Sequence, residues 1–401
     1  MLDLFLYTAS FPYKAESFLE NEMPILSKKF SNIYISTIFY DSSKREVPQN
    51  SKVLFSLNGR KDIKTMTLFM SNFFFIGKVL SIEFLGCRNK IYFLANIRKF
   101  ISQLLRAIYD VEKLKEEYAK IKSDVVHYSF WMNDWALALA VAKEKKLINQ
   151  FVFRCGGFDI YDERHSGNYL PFRYFIYKNA SAVFPNSNFG KSYLINLNVF
   201  PEKIKTSYWA THNYGANMFE PNQFTLVSCS RVIPLKRIHL IIEILKKIPF
   251  EMKWVHLGGG ECLKDIIQWA QALPNNVKTE FIGEVTNQEV IAYYKNNSIS
   301  MFITTSETEG LPVSIQEAIS FGIPVIGTDV GGISEVVNEK TGFLISRDFN
   351  CEEVAKLIID FKNGNKNSID FRKTVRDFWS KNFEATTLYN QFSEELYQYK
   401  N

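Results

Sequence analysis

The strongest constraint on the fold is an alternation that runs twice along the chain. Short apolar or β-branched runs are each followed by a stretch with helical periodicity. In the first series, residues 2–8, 32–39, 53–57, 124–128, 149–154 and 182–185 read as strands. Residues 15–30, 134–145, 171–180 and 188–197 read as helices, and 64–120 as two or three helical segments. A stretch rich in Asn, Gly and Pro, 206–223, has no clear period and predicts a linker. The series then restarts, with strands at 225–230, 253–257, 277–282, 300–304 and 324–328. Its helices fall at 238–248, 261–271, 287–296, 312–321, 334–338 and 352–364. Strands alternating with helices predict parallel sheets covered on both faces. The expected fold is therefore α/β, with two doubly wound Rossmann-like domains at 1–205 and 224–370 facing across a cleft. A helical tail, 371–401, is expected to pack back toward the first domain. Ligands of such sheets sit beyond the carboxyl ends of the strands, so the loops that follow strands are where chemistry is sought.

Composition narrows the class. At roughly 150 residues per domain, 401 residues suit two to three domains. Apolar residues make up 46% and charged residues 22%, which excludes a disordered chain or a collagen-like repeat. Five cysteines, odd in number and never spaced C-x-x-C, point to a reducing compartment and away from structural zinc. The first residues lack a basic region before their apolar run, so no signal peptide is expected. The longest uncharged part of the most apolar stretch is 13 residues, 65–77, short of the ~20 that a spanning helix needs. A cytoplasmic protein is expected. Residues 1–200 carry 27 basic and 18 acidic side chains, and residues 201–401 carry 21 and 24. The first half is thus the basic one, and could face phosphate or an anionic surface.

The segment 306–318, SETEGLPVSIQEA, follows a predicted strand and carries the densest chemistry. Gly310 permits close backbone approach, Pro312 suits a first helical position, and Gly322 suits a helix end. The amides of Gly310, Leu311, Val313 and Ser314 would then point out of a helix N-terminus, an anion site. Glu309 and Glu317 would lie about 12 Å apart if the interval were helical. That is too far for an acid/base pair on one bond and suits two hydroxyl-bearing groups of an extended ligand. Arg231 and Lys236, five apart after another strand, can clamp a diphosphate and stabilise charge on a leaving phosphate.

These residues resemble a known family. Glu309 and Glu317 inside EGLPVSIQEA look like the E-x7-E signature of retaining glycosyltransferases of family 4, which have the GT-B fold. SRVIPLK is similar to the family's G-R-L-x-x-x-K, and WVHLGGGE to its strand and glycine turn at Gly258–Gly260. FIGEV, with Gly283, sits where the family contacts the base. IPVIGTDVGGISEVV and TGFLI follow in family order, so the resemblance covers about 205–350. It implies that Arg231 and Lys236 hold the diphosphate, that Glu309 and the amides after it orient the donor sugar, and that Glu317 receives the ribose hydroxyls. Val313 and Ser314 would face the phosphate. It implies no cofactor beyond a nucleoside-diphosphate sugar, UDP- or GDP-linked, and no metal.

The first half resembles the family more loosely. FPYKAESFLENE looks like the loop and helix that face the acceptor, with Lys14, Ala15 and Glu16 where the family often has a glycine pair. DVVHYS looks like a strand end with His127 at its tip. RCGGFDIYDERH looks like R-x-H-G-x-D, keeping Arg154 and Asp159 but placing Gly156 at the histidine. His127, Arg154, Asp159 and Lys14 are the expected acceptor-side residues, with turn or core roles as the alternative for His127 and Asp159. Residues 60–106 carry nine Lys/Arg against Asp62 and Glu83, with nine aromatics between Phe69 and Tyr109. This suits peripheral contact with the inner face of a membrane, or the core of the first domain. No D-x-D pair, complete dinucleotide fingerprint, P-loop or G-x-S-x-G elbow occurs. The expected activity is sugar transfer to a saccharide, polyprenyl-linked or free, in bacterial surface polysaccharide synthesis, with no nucleic-acid partner. A sugar-nucleotide 2-epimerase and a non-catalytic donor-binding subunit are the alternatives.

Overall fold

The structure is a computed structural model that describes residues 2–13, 16, 18–42, 44–56, 65–121, 123–220 and 223–401. Two compact units divide the chain. One is Met1–Tyr208 with Thr386–Asn401, and the other is Trp209–Ala385.

The first unit is built on β1 (Leu2–Thr8), β2 (Ile33–Thr37), β3 (Ser51–Ser56), β4 (Asp124–Ser129), β5 (Val152–Cys155) and β6 (Ala182–Pro185). They form one parallel sheet in the order β3-β2-β1-β4-β5-β6. Every residue of β1 is buried, as a central parallel strand with helices on both faces requires. The helices are α1 (Phe18–Lys29), α2 (Thr65–Ser71), α3 (Phe73–Gly86), α4 (Lys90–Ala95), α5 (Ile97–Tyr118), α6 (Asp134–Glu144), α7 (Arg173–Asn179) and α8 (Asn188–Asn196). The helical stretch 64–120 thus resolves into four pieces, α2 to α5. Asn72, Asn89 and Asn96 stand just before three of them, and Asn89 caps α4 through the Tyr92 amide at 3.0 Å.

The second unit repeats the plan. β7 (Thr225–Cys229), β8 (Met252–Leu257), β9 (Val277–Gly283), β10 (Met301–Thr304), β11 (Val325–Thr328) and β12 (Gly342–Ile345) lie in the order β12-β11-β10-β7-β8-β9. Read from β9, this is the same order as in the first unit. Its helices are α9 (His239–Leu245), α10 (Leu263–Ala270), α11 (Asn287–Asn296), α12 (Val313–Ser320), α13 (Cys351–Asn363) and α14 (Ile369–Asn382). One segment gains an element and one reading changes. TGFLI contributes the edge strand β12, and the helix expected at 334–338 is a single turn, Ile333–Glu335. Both segments are too short for periodicity to separate strand from helix.

The stretch read as a linker, 206–223, joins the second unit from Trp209 onward. Thr211 exchanges backbone bonds with Phe383 (3.1 Å) and Ala385 (3.0 Å), and the Trp379 indole donates to its hydroxyl at 2.7 Å. The tail is divided. Arg372 of α14 donates to the carbonyls of Ile299 and Ser300 in the second unit. The last helix, α15 (Ala385–Leu396), lies from Thr386 onward in the first unit, where Phe392 packs edge-on against Tyr128 and Phe184.

Candidate functional site

In each sheet the strand order reverses once: between β1 and β4, and between β7 and β10. Strands on the two sides of such a point send their following loops apart and leave a crevice at their carboxyl ends. In the second unit those two loops are 230–237 and 305–312, which carry the expected donor residues.

After β7 the chain runs through Arg231 to a turn at Pro234–Lys236. Arg237 has φ 47° and anchors this turn, donating to the carbonyls of Thr305 (2.8 Å) and Arg347 (2.9 Å). The Thr305 hydroxyl returns bonds to the carbonyls of Lys236 (3.1 Å) and Arg237 (3.0 Å). The two loops are therefore laced together, and this brings Lys236 to Glu309. Their side chains form an ion pair, and the same Glu309 oxygen accepts from Ser306 Oγ at 2.7 Å. Arg231 is exposed and forms no ion pair among the described residues. Of the three expected catalytic residues, two are partners, and the third lies five residues away on the same loop with its guanidinium in solvent.

The neighbouring turns support this arrangement. Gly331 has φ 60°, and a Cβ there would lie 1.9 Å from the Glu309 carbonyl oxygen, so only glycine lets the turn after β11 lie under Glu309. Gly332 then donates to the Gly310 carbonyl at 2.7 Å. Gly258 has a reason of the same kind. A Cβ there would lie 2.0 Å from the Ser230 carbonyl oxygen, so its glycine seats the loop carrying Arg231. At Gly283 (φ 84°) the space beside the backbone is open. His256, under the Ser230 loop, bonds to Ser228 at 2.8 Å, and burial lowers it to about 4.

Leu311 is buried and Pro312 stands at the N-cap of α12, so Val313 is the first helical residue and Ser314 the second. Glu317 lies one turn further, 6% exposed, with Oε1 accepting from Asn287 Nδ2 at 2.5 Å. Burial pushes its carboxyl up to about 7, against the pull of Asn287. The ordinary value is 4.5, so the folded state holds the proton more tightly than the unfolded state. The stabilisation from that proton is full below the unfolded value and is lost as pH rises through the folded value. At ~1.4 kcal/mol per pH unit, the wild type should lose about 2–3 kcal/mol at this group between pH 5 and pH 8. Glu317→Gln has no such proton. The stability of the variant relative to wild type is therefore expected to rise by that amount over this range in urea unfolding. A pH-independent difference would show that the carboxyl titrates normally in the folded protein.

In the first unit the expected acceptor residues take structural places. His127 is the fourth residue of β4, in register with Phe5, and is buried rather than at a strand tip. Its Nδ1 bonds to Tyr7 Oη at 2.8 Å, its ring packs on Phe5 and Tyr118, and burial lowers it to about 3. Arg154 is also fully buried. It faces Glu22 of α1 at 3.2 Å, donates to Ser207 Oγ at 2.7 Å and lies 3.9 Å from the Phe392 ring centre. Asp159 ties a loop, accepting from the amides of Met132 (2.9 Å) and Gly156 (2.6 Å). Burial raises it to about 6. Lys14 lies outside the described residues.

What does open at the carboxyl ends of β1 and β4 is a depression of about 600 Å³ lined by Tyr13, Glu16, Tyr40 and Trp131 among others. Glu16 accepts from the amides of Ala9 (3.0 Å), Ser10 (2.6 Å) and Phe11 (2.6 Å) and from the Trp131 indole (2.5 Å). Glu16 stood in the segment singled out by sequence. Trp131 is 115 residues away, and only the β1–β4 pairing brings the two together. Among the described residues no group of three or more His, Cys, Asp or Glu is placed to hold a metal ion.

The chain is similar to known proteins in sequence and in fold. Residues 215–378 match the family model for glycosyl transferases group 1. The O-antigen biosynthesis glycosyltransferase WbnH of Escherichia coli is 29% identical over 149 residues, 37% of this chain and 41% of that one. The capsular polysaccharide biosynthesis glycosyltransferase CapM of Staphylococcus aureus is 31% identical over 185 residues, 43% of this chain and 48% of that one. The chain thus spans less than half the length of these curated relatives. The structure of Anabaena Alr3699/HepE in complex with UDP superposes with a TM-score of 0.69 at 18% identity, covering 99% of this chain and 100% of that one. Two Rossmann-like domains of six parallel strands each are the GT-B fold, and residues 215–378, in the second of them, match the model for glycosyl transferases group 1.

Proposed function

We propose that this chain is a retaining, metal-independent glycosyltransferase of the family 4 type. It would move a sugar from a nucleoside-diphosphate sugar to a saccharide or lipid-linked saccharide on the cytoplasmic side of a bacterial membrane. The observation that carries the proposal is the Lys236–Glu309 pair beside Arg231, held by laced loops at the reversal point of the second sheet. The named roles of WbnH and CapM support a surface-polysaccharide acceptor, and the UDP in HepE makes uridine the first base to test.

On this reading a diphosphate entering the loops takes the Lys236 ammonium from Glu309. Arg231 swings in from solvent as the second cation. Glu309, released, orients the donor sugar with the amides of Gly310 and Leu311, and Glu317 with Asn287 receives the ribose. The bond from the anomeric carbon to the phosphate oxygen breaks, and the electron pair leaves on the diphosphate. The acceptor hydroxyl attacks from the same face, and its proton passes to the departing phosphate oxygen. Nucleoside diphosphate and the new glycoside are the products, with the configuration retained. The chain contributes position and charge rather than a covalent nucleophile. The depression walled by Tyr13, Tyr40 and Trp131 offers aromatic faces to an acceptor sugar.

A thermal-shift panel of UDP-, GDP-, ADP- and CMP-sugars without added metal tests the donor site. A ligand that binds only the folded state raises the melting temperature with its occupancy. One nucleotide class is expected to stabilise the wild type, and to stabilise Glu317→Ala less. No shift with any of the four would remove the donor site and the proposal with it.

A further inference from the structure

The helices α2 to α4 present an apolar surface to solvent. In α3 the inward face is Ile76, Val79 and Glu83, at helical spacing. Glu83 fixes that face, accepting from Tyr169 Oη at 2.6 Å and from the Phe175 amide at 2.8 Å. The opposite stripe runs through Phe74, Lys78, Ser81 and Leu85. A water-facing stripe would normally be polar, yet Phe74 is 89% and Leu85 76% exposed. The surface continues on both sides. Phe74 meets Phe73 at 5.7 Å between ring centres, and Phe73 meets Phe69 of α2 at 5.6 Å. Leu85 and Leu94 of α4 line one shallow depression of about 360 Å³.

The charge on this segment has one sign. Between 65 and 106 the only carboxylate is Glu83, which is buried. Arg88, Lys90, Arg98 and Lys99 are exposed and form no ion pair among the described residues. Lys78 is the exception, paired with Glu144 at 2.7 Å. Exposed apolar side chains with an unbalanced cationic border match an anionic lipid interface, where rings enter the headgroup region and cations meet phosphates. A second copy is a poorer occupant, because two such faces bring like charges together. Among the described residues no helix is long and apolar enough to cross a membrane. We infer that α2–α4 is a docking surface for an anionic phospholipid bilayer, with Phe74, Leu85 and Leu94 inserting and Arg88, Lys90, Arg98 and Lys99 meeting the headgroups. The surface is independent of the transfer chemistry.

The test is co-sedimentation of the full chain with phosphatidylcholine vesicles, with and without phosphatidylglycerol. Binding is expected only with the anionic lipid and is expected to fall as salt rises. The Phe74→Ser, Leu85→Ser, Leu94→Ser triple variant is expected to lose binding by more than ~10-fold with an unchanged melting temperature. The side chains are already in water, so the fold does not depend on them. Lys90→Glu with Lys99→Glu should weaken binding by roughly 5-fold or more per site. Equal binding to neutral vesicles, no binding to either, or a triple variant that binds like wild type would overturn the proposal. So would a concentration-dependent dimer, seen by ultracentrifugation, that the triple variant abolishes.

Discussion

Lys236→Ala is expected to lower sugar-transfer turnover by about 10²–10³-fold, the range seen when one preorganised group facing developing charge is removed. Arg231→Ala in addition should take activity lower still. The expectation rests on where the negative charge goes. On the proposed reaction charge builds on the diphosphate as the glycosidic oxygen leaves, and Lys236 and Arg231 are the cations assigned to meet it. The ammonium is partly buried, with 20% of its side chain exposed, so its field is less screened than that of a surface lysine. A group that acts only as charge develops lowers kcat and kcat/KM together, whereas a pure binding contact raises KM alone. Glu309 would be left beside Ser306 without its cation. Only 13% of its side chain is exposed, so the lost cation is expected to cost about 1–3 kcal/mol of stability, and thermal melting can separate that from the kinetic effect. Full turnover in the double variant would remove the two cations from the chemistry.

The alternation of short apolar runs with helical periods made both sheets legible. Central parallel strands are buried on both faces, so they read as apolar runs without a polar phase. Both loops at the reversal point of the second sheet were legible as loops because glycine, proline and charge follow a strand there. What escaped was decided at a distance. The position of His127 in a strand was plain, but local pattern does not say that its side faces Tyr7 and Tyr118. Arg154 and Asp159 were read as acceptor residues because their spacing fits a motif. Their partners, Glu22, Phe392 and Met132, come from three other parts of the chain. Glu16 and Trp131 meet only through the β1–β4 pairing. In 65–106 the number of aromatics was evident, but which of them point inward is set by Glu83 and its partners on other segments.

The same contacts make Arg154 the residue whose loss should cost the first unit most. Its guanidinium is fully buried among β5, α1 and α15, with Glu22 equally buried opposite. Burial pushes the Glu22 carboxyl up, while Arg154 and Tyr128 pull it back. Arg154→Met removes the cation and strands a carboxylate with no route to water. Breaking a buried pair in this way costs about 3–5 kcal/mol, more than the pair itself is worth. Glu22→Leu added to Arg154→Met removes the stranded charge and is expected to recover most of that loss. Urea unfolding of the wild type, the single variant and the double variant measures all three. A single variant within about 1 kcal/mol of wild type would show that the pair does not hold α1 and α15 to the sheet. A double variant that is stable yet inactive would return Arg154 to the acceptor role its motif suggested. Recovery of both stability and turnover would leave that motif position with a structural duty alone.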